Sequence, residues 1–238
     1  QWHDKNESPK ETQYNSIMRF LFGDIIEAIA MVVLKSANVN IESEQERVNL
    51  DLDVCELNGT LDVVIDGKVW DIKSASPYAF SKKFGGEFGG YNKVKQDDTF
   101  GYLMQGYLYS KAKNMDFGGW IVVDKASGEW AVCEAPDYQE KDSVEQLAKA
   151  KSNAKTMLQD KPLKKEFKDK EETFRVQHGK RKGEIIATGN RVMHTVCGYC
   201  DYKAQCWPTA QLHKKVGTQA TQRPLVWYTK LKKREIEV

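Results

Sequence analysis

The segment 59–76, GTLDVVIDGKVWDIKSAS, constrains the fold more than any other part of the sequence. Two runs of apolar and β-branched residues flank the dipeptide Asp66-Gly67, which is a strong signal for a two-residue hairpin turn. With these as the turn residues, the facing pairs would be Ile65–Lys68, Val64–Val69, Val63–Trp70 and Asp62–Asp71. The sequence therefore predicts a β-hairpin that sets two carboxylates opposite each other.

This pair of carboxylates, Asp62 and Asp71, predicts a metal site. Facing side chains lie about 5 Å apart, where two carboxylates repel by about 3 kcal/mol at an effective dielectric constant of ~20. The neighbouring residues are apolar on both faces, which indicates a covered sheet in which the pair needs a counter-charge. A divalent cation beside Lys73 would supply it, and oxygen ligands favour Mg²⁺ or Mn²⁺ over zinc. The alternative is a solvated hairpin end at the surface.

Periodicity predicts the elements around this hairpin. Residues 15–35 are apolar nearly all round, which predicts a buried helix and makes Glu27 a candidate third carboxylate. The alternative for Glu27 is a helix glutamate paired with a neighbouring lysine or arginine. Further elements are predicted as a strand at 48–57, a helix at 97–111, strands at 118–124 and 128–135, and a charged helical stretch at 138–172 that Pro162 breaks. This order favours one α/β domain with an appended metal module.

The overall charge excludes one mode of nucleic-acid binding. The 238 residues contain 36 Lys and Arg against 34 Asp and Glu, a net charge of +2, so bulk charge cannot hold a polyanion. No stretch approaches the roughly 18 consecutive apolar residues of a membrane span. Because the chain begins at Gln1 and not at Met, we expect residues upstream of it to be missing.

Three of the five cysteines stand close together in the segment CGYCDYKAQCW. The C-x2-C-x5-C spacing of Cys197, Cys200 and Cys206 predicts thiolates that converge on one metal ion or cluster. Three ligands leave a tetrahedral site incomplete, and His194 precedes them at a distance that suits a Cys3His zinc site. Cys55, Cys133, His3 and an upstream cysteine are the other candidates for a fourth ligand, and three structural thiols without a metal are the alternative.

The loop that follows the hairpin mixes aromatic and basic residues. Aromatic faces can stack on unpaired bases and lysines can neutralise phosphates, so the loop at 76–96 is a candidate nucleic-acid site. Its candidate contact residues are Tyr78, Phe80, Lys82, Lys83, Tyr91 and Lys93. Glycine pairs at 85–86 and 89–90 predict a mobile flap. The alternative is an ordinary loop with buried aromatic residues.

These motifs together resemble the PD-(D/E)xK nuclease superfamily, and in particular its RecB-like, iron–sulfur members. The motifs that carry the resemblance are GDIIEAIA at 23–30, Asp62, the triplet Asp71-Ile72-Lys73, the pair Gln105 and Tyr109, and the three clustered cysteines. AddB, the CRISPR adaptation nucleases and bacteriophage exonucleases look similar. The iron–sulfur members have a cysteine ahead of the first helix, and none stands there in this sequence.

The resemblance implies a fold and a set of roles. The fold is a restriction-endonuclease-like mixed sheet flanked by helices, with a nuclease core at 1–190 and a cysteine module at 191–238 packed on it as one structural domain. The implied catalytic residues are Glu27, Asp62, Asp71, Lys73, Gln105 and Tyr109, and the implied metal-binding positions are Glu27, Asp62, Asp71 and Ile72. A 4Fe–4S cluster at Cys197, Cys200, Cys206 and His194 is expected, with structural zinc as the alternative.

We therefore expect a Mg²⁺- or Mn²⁺-dependent DNA exonuclease that acts on single-stranded ends in recombination or repair. The alternatives are a non-catalytic nucleic-acid-binding module and a structure-specific endonuclease. The expected location is a bacterial or phage-infected cytoplasm, which suits free thiols. The expected partner is DNA and not a membrane, and a homo-oligomer or a recombination partner protein is left open.

Overall fold

The computed structural model describes residues 14–159, 165, 167–218 and 220–232, except for the side chains of residues 15, 16 and 19. It has a mixed α/β architecture with two sheets. The chain divides near residue 160 into two compact units, each built around one sheet. The second unit thus contains strands that precede residue 191 as well as the cysteine segment, and the expected division at residue 190 stays a prediction.

The first unit holds a five-stranded sheet and the helices that cover it. Its elements are α1 (Tyr14–Ser36), β1 (Ile41–Asp51), β2 (Glu56–Ile65), β3 (Lys68–Ala75), α2 (Pro77–Ala79) continued by a π-helical turn (Phe80–Phe84), α3 (Tyr91–Gln96), α4 (Tyr102–Lys113), β4 (Asp116–Asp124), β5 (Trp130–Glu134) and α5 (Glu140–Met157). The strands follow the order β1-β2-β3-β4-β5, and only β3 and β4 run parallel. Parallel neighbours need a crossover, and α2, α3 and α4 lie in this connection.

The hairpin of β2 and β3 forms as its sequence predicts. Asp66 (φ 48°) and Gly67 (φ 72°) both have left-handed backbones, as a two-residue turn of the primed type requires. The three facing pairs nearest the turn are Ile65–Lys68, Val64–Val69 and Val63–Trp70, in the expected register. The expected strand at 48–57 is wrong in part, because Asp53 (φ 69°) lies in a turn that ends β1 and precedes β2.

Helices cover both faces of this sheet. On one face, Ala30 and Met31 of α1 pack against a cluster that contains Ile72 of β3. On the other face, Leu103 and Tyr107 of α4 pack against the residues of β4. The sheet is therefore covered, and β3 lies at its centre.

Helix α1 differs from its expected burial. Only one side of it meets the sheet, and large apolar side chains on its other sides are exposed, among them Phe20 (67%), Ile29 (55%) and Val32 (64%). The sequence pattern cannot separate these two sides because both are apolar. Nevertheless, no helix in the described part of the chain is long and apolar enough to cross a membrane.

The second unit is a four-stranded sheet with two short helices. Its elements are β6 (Lys170–Arg175), β7 (Ile185–Val192), α6 (Thr195–Tyr199), α7 (Lys203–Cys206), β8 (Gln211–Lys214) and β9 (Leu225–Lys230), and the strand order is β6-β7-β9-β8. The first part of the expected helical stretch at 138–172 is confirmed as α5, which ends at Met157, but its last part is wrong because Lys170 begins a strand. Buried Glu172 ties this sheet together by accepting hydrogen bonds from Tyr228, Asn190, Thr188 and the Gly217 amide.

Gly106 lets α4 approach the sheet closely, and we predict that Gly106→Ala destabilises the protein. A Cβ at this position would lie 2.4 Å from Phe117 Cζ, and Phe117 is fully buried. The free energy of unfolding should fall by about 2 kcal/mol, the usual cost of overpacking a core. Chemical denaturation measures this change. The matched control is Gly23→Ala in helix α1, where an added Cβ would have no atom within 4 Å. A G106A variant as stable as the wild type would contradict the packing.

Candidate active site

The carboxylate of Asp62 interrupts the ladder between β2 and β3. If the hairpin register continued, Leu61 and Ile72 would exchange backbone hydrogen bonds. Instead, the Ile72 amide donates to Asp62 Oδ2 at 2.7 Å. Burial raises the pKa of Asp62, although this hydrogen bond and the nearby Lys73 oppose the shift. Asp62 is therefore held by the backbone beside the triplet Asp71-Ile72-Lys73.

Asp71 is a buried carboxylate with one oxygen that lacks a partner. Its side chain is 2% exposed, and its Oδ1 accepts a hydrogen bond from Lys73 Nζ at 2.8 Å. Among the described residues, no group donates to its Oδ2, which is also buried. Burial raises the pKa of Asp71 to about 7, and the charges of Asp62 and Glu27 add to the shift while Lys73 opposes it. This oxygen therefore requires a cation, a proton or a hydrogen-bond donor.

Lys73 is held between β3 and α4. Its Nζ donates to Asp71 and, at 3.1 Å, to Gln105 Oε1, and it lies 5.5 Å from the centre of the Tyr102 ring. Burial works to lower the pKa of Lys73, but the charges of Asp71 and Asp62 outweigh it and raise the pKa. Lys73 is therefore a fixed cation and not a neutral base.

Helix α1 brings Glu27 to the same place. The pKa of Glu27 is raised to about 7, mainly by burial and then by the charges of Asp62 and Asp24, while Lys73 opposes the shift. Glu27 Oε1 accepts a hydrogen bond from Gln45 Nε2. Gln45 has a left-handed backbone (φ 49°) and stands in β1 between the partners of Val63 and Leu61, which places it beside Asp62.

Gln45 is a site residue that the sequence analysis missed. The sequence analysis began the first strand at residue 48, so Gln45 was left outside the sheet. A glutamine in a polar stretch also carries no motif. The pairing of β1 with β2 is the only signal for it, and that pairing is a long-range one.

The two residues of α4 have different positions. Gln105 contacts Lys73, as described above, and so joins the carboxylates indirectly. Tyr109 instead packs against β2, because a Cβ added to Gly59 would lie 2.5 Å from its ring. Its remaining neighbours are the apolar residues of the cluster around Leu61 and Val69. The structure therefore gives Tyr109 a packing contact, and its expected catalytic role stays a prediction.

Two observations bear on a metal ion at these carboxylates. In the described residues, no three His, Cys, Asp or Glu side chains are arranged to hold an ion. Against this, Asp71 Oδ2 is buried without a partner, and the pKa values of three neighbouring carboxylates are raised. Within the described residues, Lys73 contacts one oxygen of Asp71 and Gln45 contacts one oxygen of Glu27, so the second oxygen of each carboxylate could bind an ion. The donor set of hard oxygens fits Mg²⁺ or Mn²⁺.

The aromatic and basic loop is more ordered than a flap. Residues 77–84 are helical, and the glycine pairs allow close backbone packing, since a Cβ at Gly89 would lie 2.2 Å from the oxygen of Gly85. Tyr91 is buried, and its hydroxyl group contacts Tyr107 and Asp142. Part of the loop thus packs into the core, which argues against Tyr91 as a contact for a base; the expected mobility of the loop stays a prediction.

Other residues of the loop stay accessible. Tyr78 is 77% exposed, and Lys82 Nζ lies 4.2 Å above the ring of exposed Phe88. Lys83 Nζ lies 5.3 Å from the Tyr102 ring, which is also the ring beside Lys73. Phe80 is half-buried, and Lys93 is exposed on α3. The loop therefore continues directly into the site.

The cysteine segment lies in the second unit. Cys197 is in α6, Cys200 ends that helix, and Cys206 ends α7. Burial raises the pKa of the Cys197 thiol; the Trp207 indole opposes this shift, and the charges of Cys200 and Cys206 add to it. His194 instead caps α6, where its Nδ1 accepts from the Val196 amide at 3.3 Å.

The fourth ligand is not assembled in the described residues. No three His, Cys, Asp or Glu side chains of those residues are placed so that they could hold an ion. The ring of His194 stacks on the ring of Phe167, with 4.5 Å between the ring centres. Cys133 lies in the core of the first unit, where burial raises its pKa to about 12, so it serves as a small apolar residue. Cys55 packs beside the cluster around Leu52. His3 lies outside the described residues.

Comparisons with known proteins add no relationship: no protein-family model, curated protein or solved structure matches this chain.

The raised pKa of Glu27 predicts a stability that depends on pH. Below the unfolded-state value of 4.5, Glu27 is protonated in both states and costs nothing. Between pH 4.5 and about 7 the unfolded chain ionises Glu27 while the folded chain keeps it protonated, so stability falls across this window and the loss is complete above pH 7. Glu27→Gln removes this loss and keeps an oxygen for Gln45. The free energy of unfolding should rise by about 1 kcal/mol at pH 8 in chelator and stay unchanged at pH 4.

Denaturant titrations of wild type and Glu27→Gln at the two pH values measure this difference. Added Mn²⁺ should recover the lost stability in the wild type at pH 8 and have a smaller effect on the variant. A variant that is destabilised equally at both pH values would show that Glu27 only supports packing.

Proposed function

We propose that this chain is a Mg²⁺- or Mn²⁺-dependent deoxyribonuclease that hydrolyses phosphodiester bonds from single-stranded DNA ends. The observation that carries the proposal is the buried, unpaired Oδ2 of Asp71 beside a fixed Lys73 cation. Around it stand Asp62 and Glu27, each with a raised pKa. A protein gains nothing in stability from such a group of carboxylates, and this cost is typical of functional sites.

Asp62, Asp71 and Glu27 would hold the ion. Ile72, which follows Asp71 in β3, is a further expected ligand position. A bound Mg²⁺ or Mn²⁺ supplies Lewis acidity and lowers the pKa of a water molecule. Lys73 is protonated and held by Asp71 and Gln105, so it can orient the attacking water and stabilise the negative charge that develops on the phosphate. Gln45 fixes the orientation of Glu27.

The resemblance to the PD-(D/E)xK nucleases supports the same assignment. The hairpin register, the Lys73–Gln105 contact and the mixed sheet with β3 at its centre agree with what that resemblance implies. Exposed Tyr78 and the lysines at 82 and 83 would hold an unpaired strand near Lys73. We place the protein in a reducing bacterial or phage-infected cytoplasm, which suits its free thiols.

A non-catalytic nucleic-acid-binding module is the second candidate. The observation that favours it is the lack of an assembled three-ligand metal group in the described residues. A catalytic assay separates the two functions.

We predict that Asp71→Asn lowers the rate of Mn²⁺-dependent degradation of labelled single-stranded DNA by about 10³-fold or more. The change removes the charge that the ion requires while the side chain keeps its size. The matched control is Asp66→Asn in the hairpin turn, where asparagine tolerates the left-handed backbone and the exposed side chain lies outside the site. Equal activity of wild type and Asp71→Asn would refute the active-site assignment.

The form of the DNA then tests the mode of cleavage. An exonuclease should leave a closed circular single strand intact and shorten a linear one progressively. Discrete fragments from a circular duplex would indicate a structure-specific endonuclease instead. Binding without hydrolysis of any form would support the non-catalytic module.

For the cysteine segment we propose a 4Fe–4S cluster, with structural zinc as the alternative. Cys197, Cys200 and Cys206 would hold either group as thiolates, together with a fourth ligand such as His194. Protein purified without oxygen should absorb visible light and lose this absorbance in Cys200→Ser. Cys55→Ser, outside the segment, is the control. A colourless protein with one stoichiometric zinc would contradict the cluster.

A further inference from the structure

The near-neutral total charge hides two oppositely charged parts. Residues 161–238 contain eighteen lysines and arginines against eight acidic residues, a formal charge of +10. Residues 1–160 contain eighteen against twenty-six, a formal charge of −8. This division falls at the boundary of the two compact units. The unit with the candidate active site would therefore repel a polyanion, and the other would attract it.

A hairpin in the second unit concentrates this positive charge. The segment 179–183, GKRKG, connects β6 to β7 and places Lys180, Arg181 and Lys182 at consecutive positions. All five residues of this segment, which we call the basic tip, are exposed. Gly179 (φ 84°) and Gly183 (φ 95°) both have left-handed backbones, which glycine adopts without strain.

The basic tip is ordered by its own backbone. The Val176 amide donates to the Glu184 oxygen at 2.9 Å, and the Gly183 amide donates to the Val176 oxygen at 2.9 Å. Inside this frame, the Lys182 amide donates to the Gly179 oxygen at 3.2 Å. A defined turn therefore presents the three cations, so that binding of a ligand does not carry the entropic cost of ordering this segment.

The three cationic side chains of the basic tip are accessible to a ligand. Within the described residues, Lys180 and Lys182 make no ion pair, and Arg181 pairs with Glu184 at 2.8 Å. Both members of that pair are about half exposed, so the pair contributes little and can be exchanged for a phosphate. The forked guanidinium group of arginine matches the geometry of a phosphate.

We propose that the basic tip is a phosphate-binding arm that holds the DNA backbone without regard to base sequence. The proposal rests on the proposed nuclease function, because a nuclease substrate is a polyanion that its acidic catalytic unit repels. Three adjacent cations with no aromatic residue among them are suited to the backbone and not to the bases. The arm would thus supply affinity that the active site lacks.

Binding should be measured apart from cleavage. In an Asp71→Asn background with chelator present, a fluorescent single-stranded oligonucleotide is titrated at several salt concentrations. Replacement of Lys180, Arg181 and Lys182 by Gln should raise Kd about 10-fold or more. It should also reduce the slope of log K against log salt by about 2, since each phosphate contact on a single strand contributes about 0.7.

A matched control has the same charge loss in the same unit. It replaces Lys214, Arg223 and Lys230, which are exposed on β8, on the following loop and on β9. A second variant, Lys180→Gln with Lys182→Gln, leaves the Arg181–Glu184 pair intact and should reduce the slope by about 1.4. Circular dichroism checks that every variant is folded.

The outcomes separate this proposal from the nuclease. Equal loss in the control and the tip variants would overturn the arm, because bulk charge would then explain the binding. The arm is also overturned if the chain binds phosphatidylserine vesicles and not DNA. If the intact protein does not hydrolyse DNA but binds it through the tip, the nuclease fails and the arm stands. If the protein hydrolyses DNA but the tip variants bind DNA as tightly as the wild type, the nuclease proposal stands and the arm is overturned.

Discussion

The site depends on the burial of one charge. Asp71 lies at the centre of a sheet that is covered on both faces, and its second oxygen has no partner. The free-energy cost of such a group is high, and a cation, a proton or a hydrogen-bond donor would reduce it. Lys73 provides part of the compensation, and Gln105 holds Lys73 in place. The raised pKa values of Glu27 and Asp62 follow from the same burial and mutual repulsion.

The fold brings the polar groups of the site together from elements that are far apart in sequence. Helix α1 supplies Glu27, and α4 approaches closely enough for Gln105 because Gly106 has no side chain to clash with Phe117. Between them, Asp62 ends the backbone ladder of the hairpin by accepting from Ile72. The place where regular pairing stops is therefore the place where polar side chains can converge.

The total charge of the chain conceals a strong separation of charge between the two units. A net charge of +2 excludes binding by bulk charge, but −8 and +10 on separate units allow attraction and chemistry to be assigned to different parts of the chain. The acids of the first unit include those of the candidate metal site. A polyanion held by the second unit would need no positive first unit, which is why the total is uninformative.

Local sequence determined the hairpin and its register, since Asp66-Gly67 fixes the turn and the turn fixes the facing pairs. It also gave the helix with Gln105 and the grouping of the three cysteines. Tertiary structure alone decided which aromatic residues are buried: Tyr91 lies in the core, where its hydroxyl group is hydrogen-bonded to Tyr107 and Asp142. It likewise decided the place of Gln45, the exposed side of α1 and the strand at residue 170. Each of these depends on contacts between distant residues, and periodicity over a short window does not encode them.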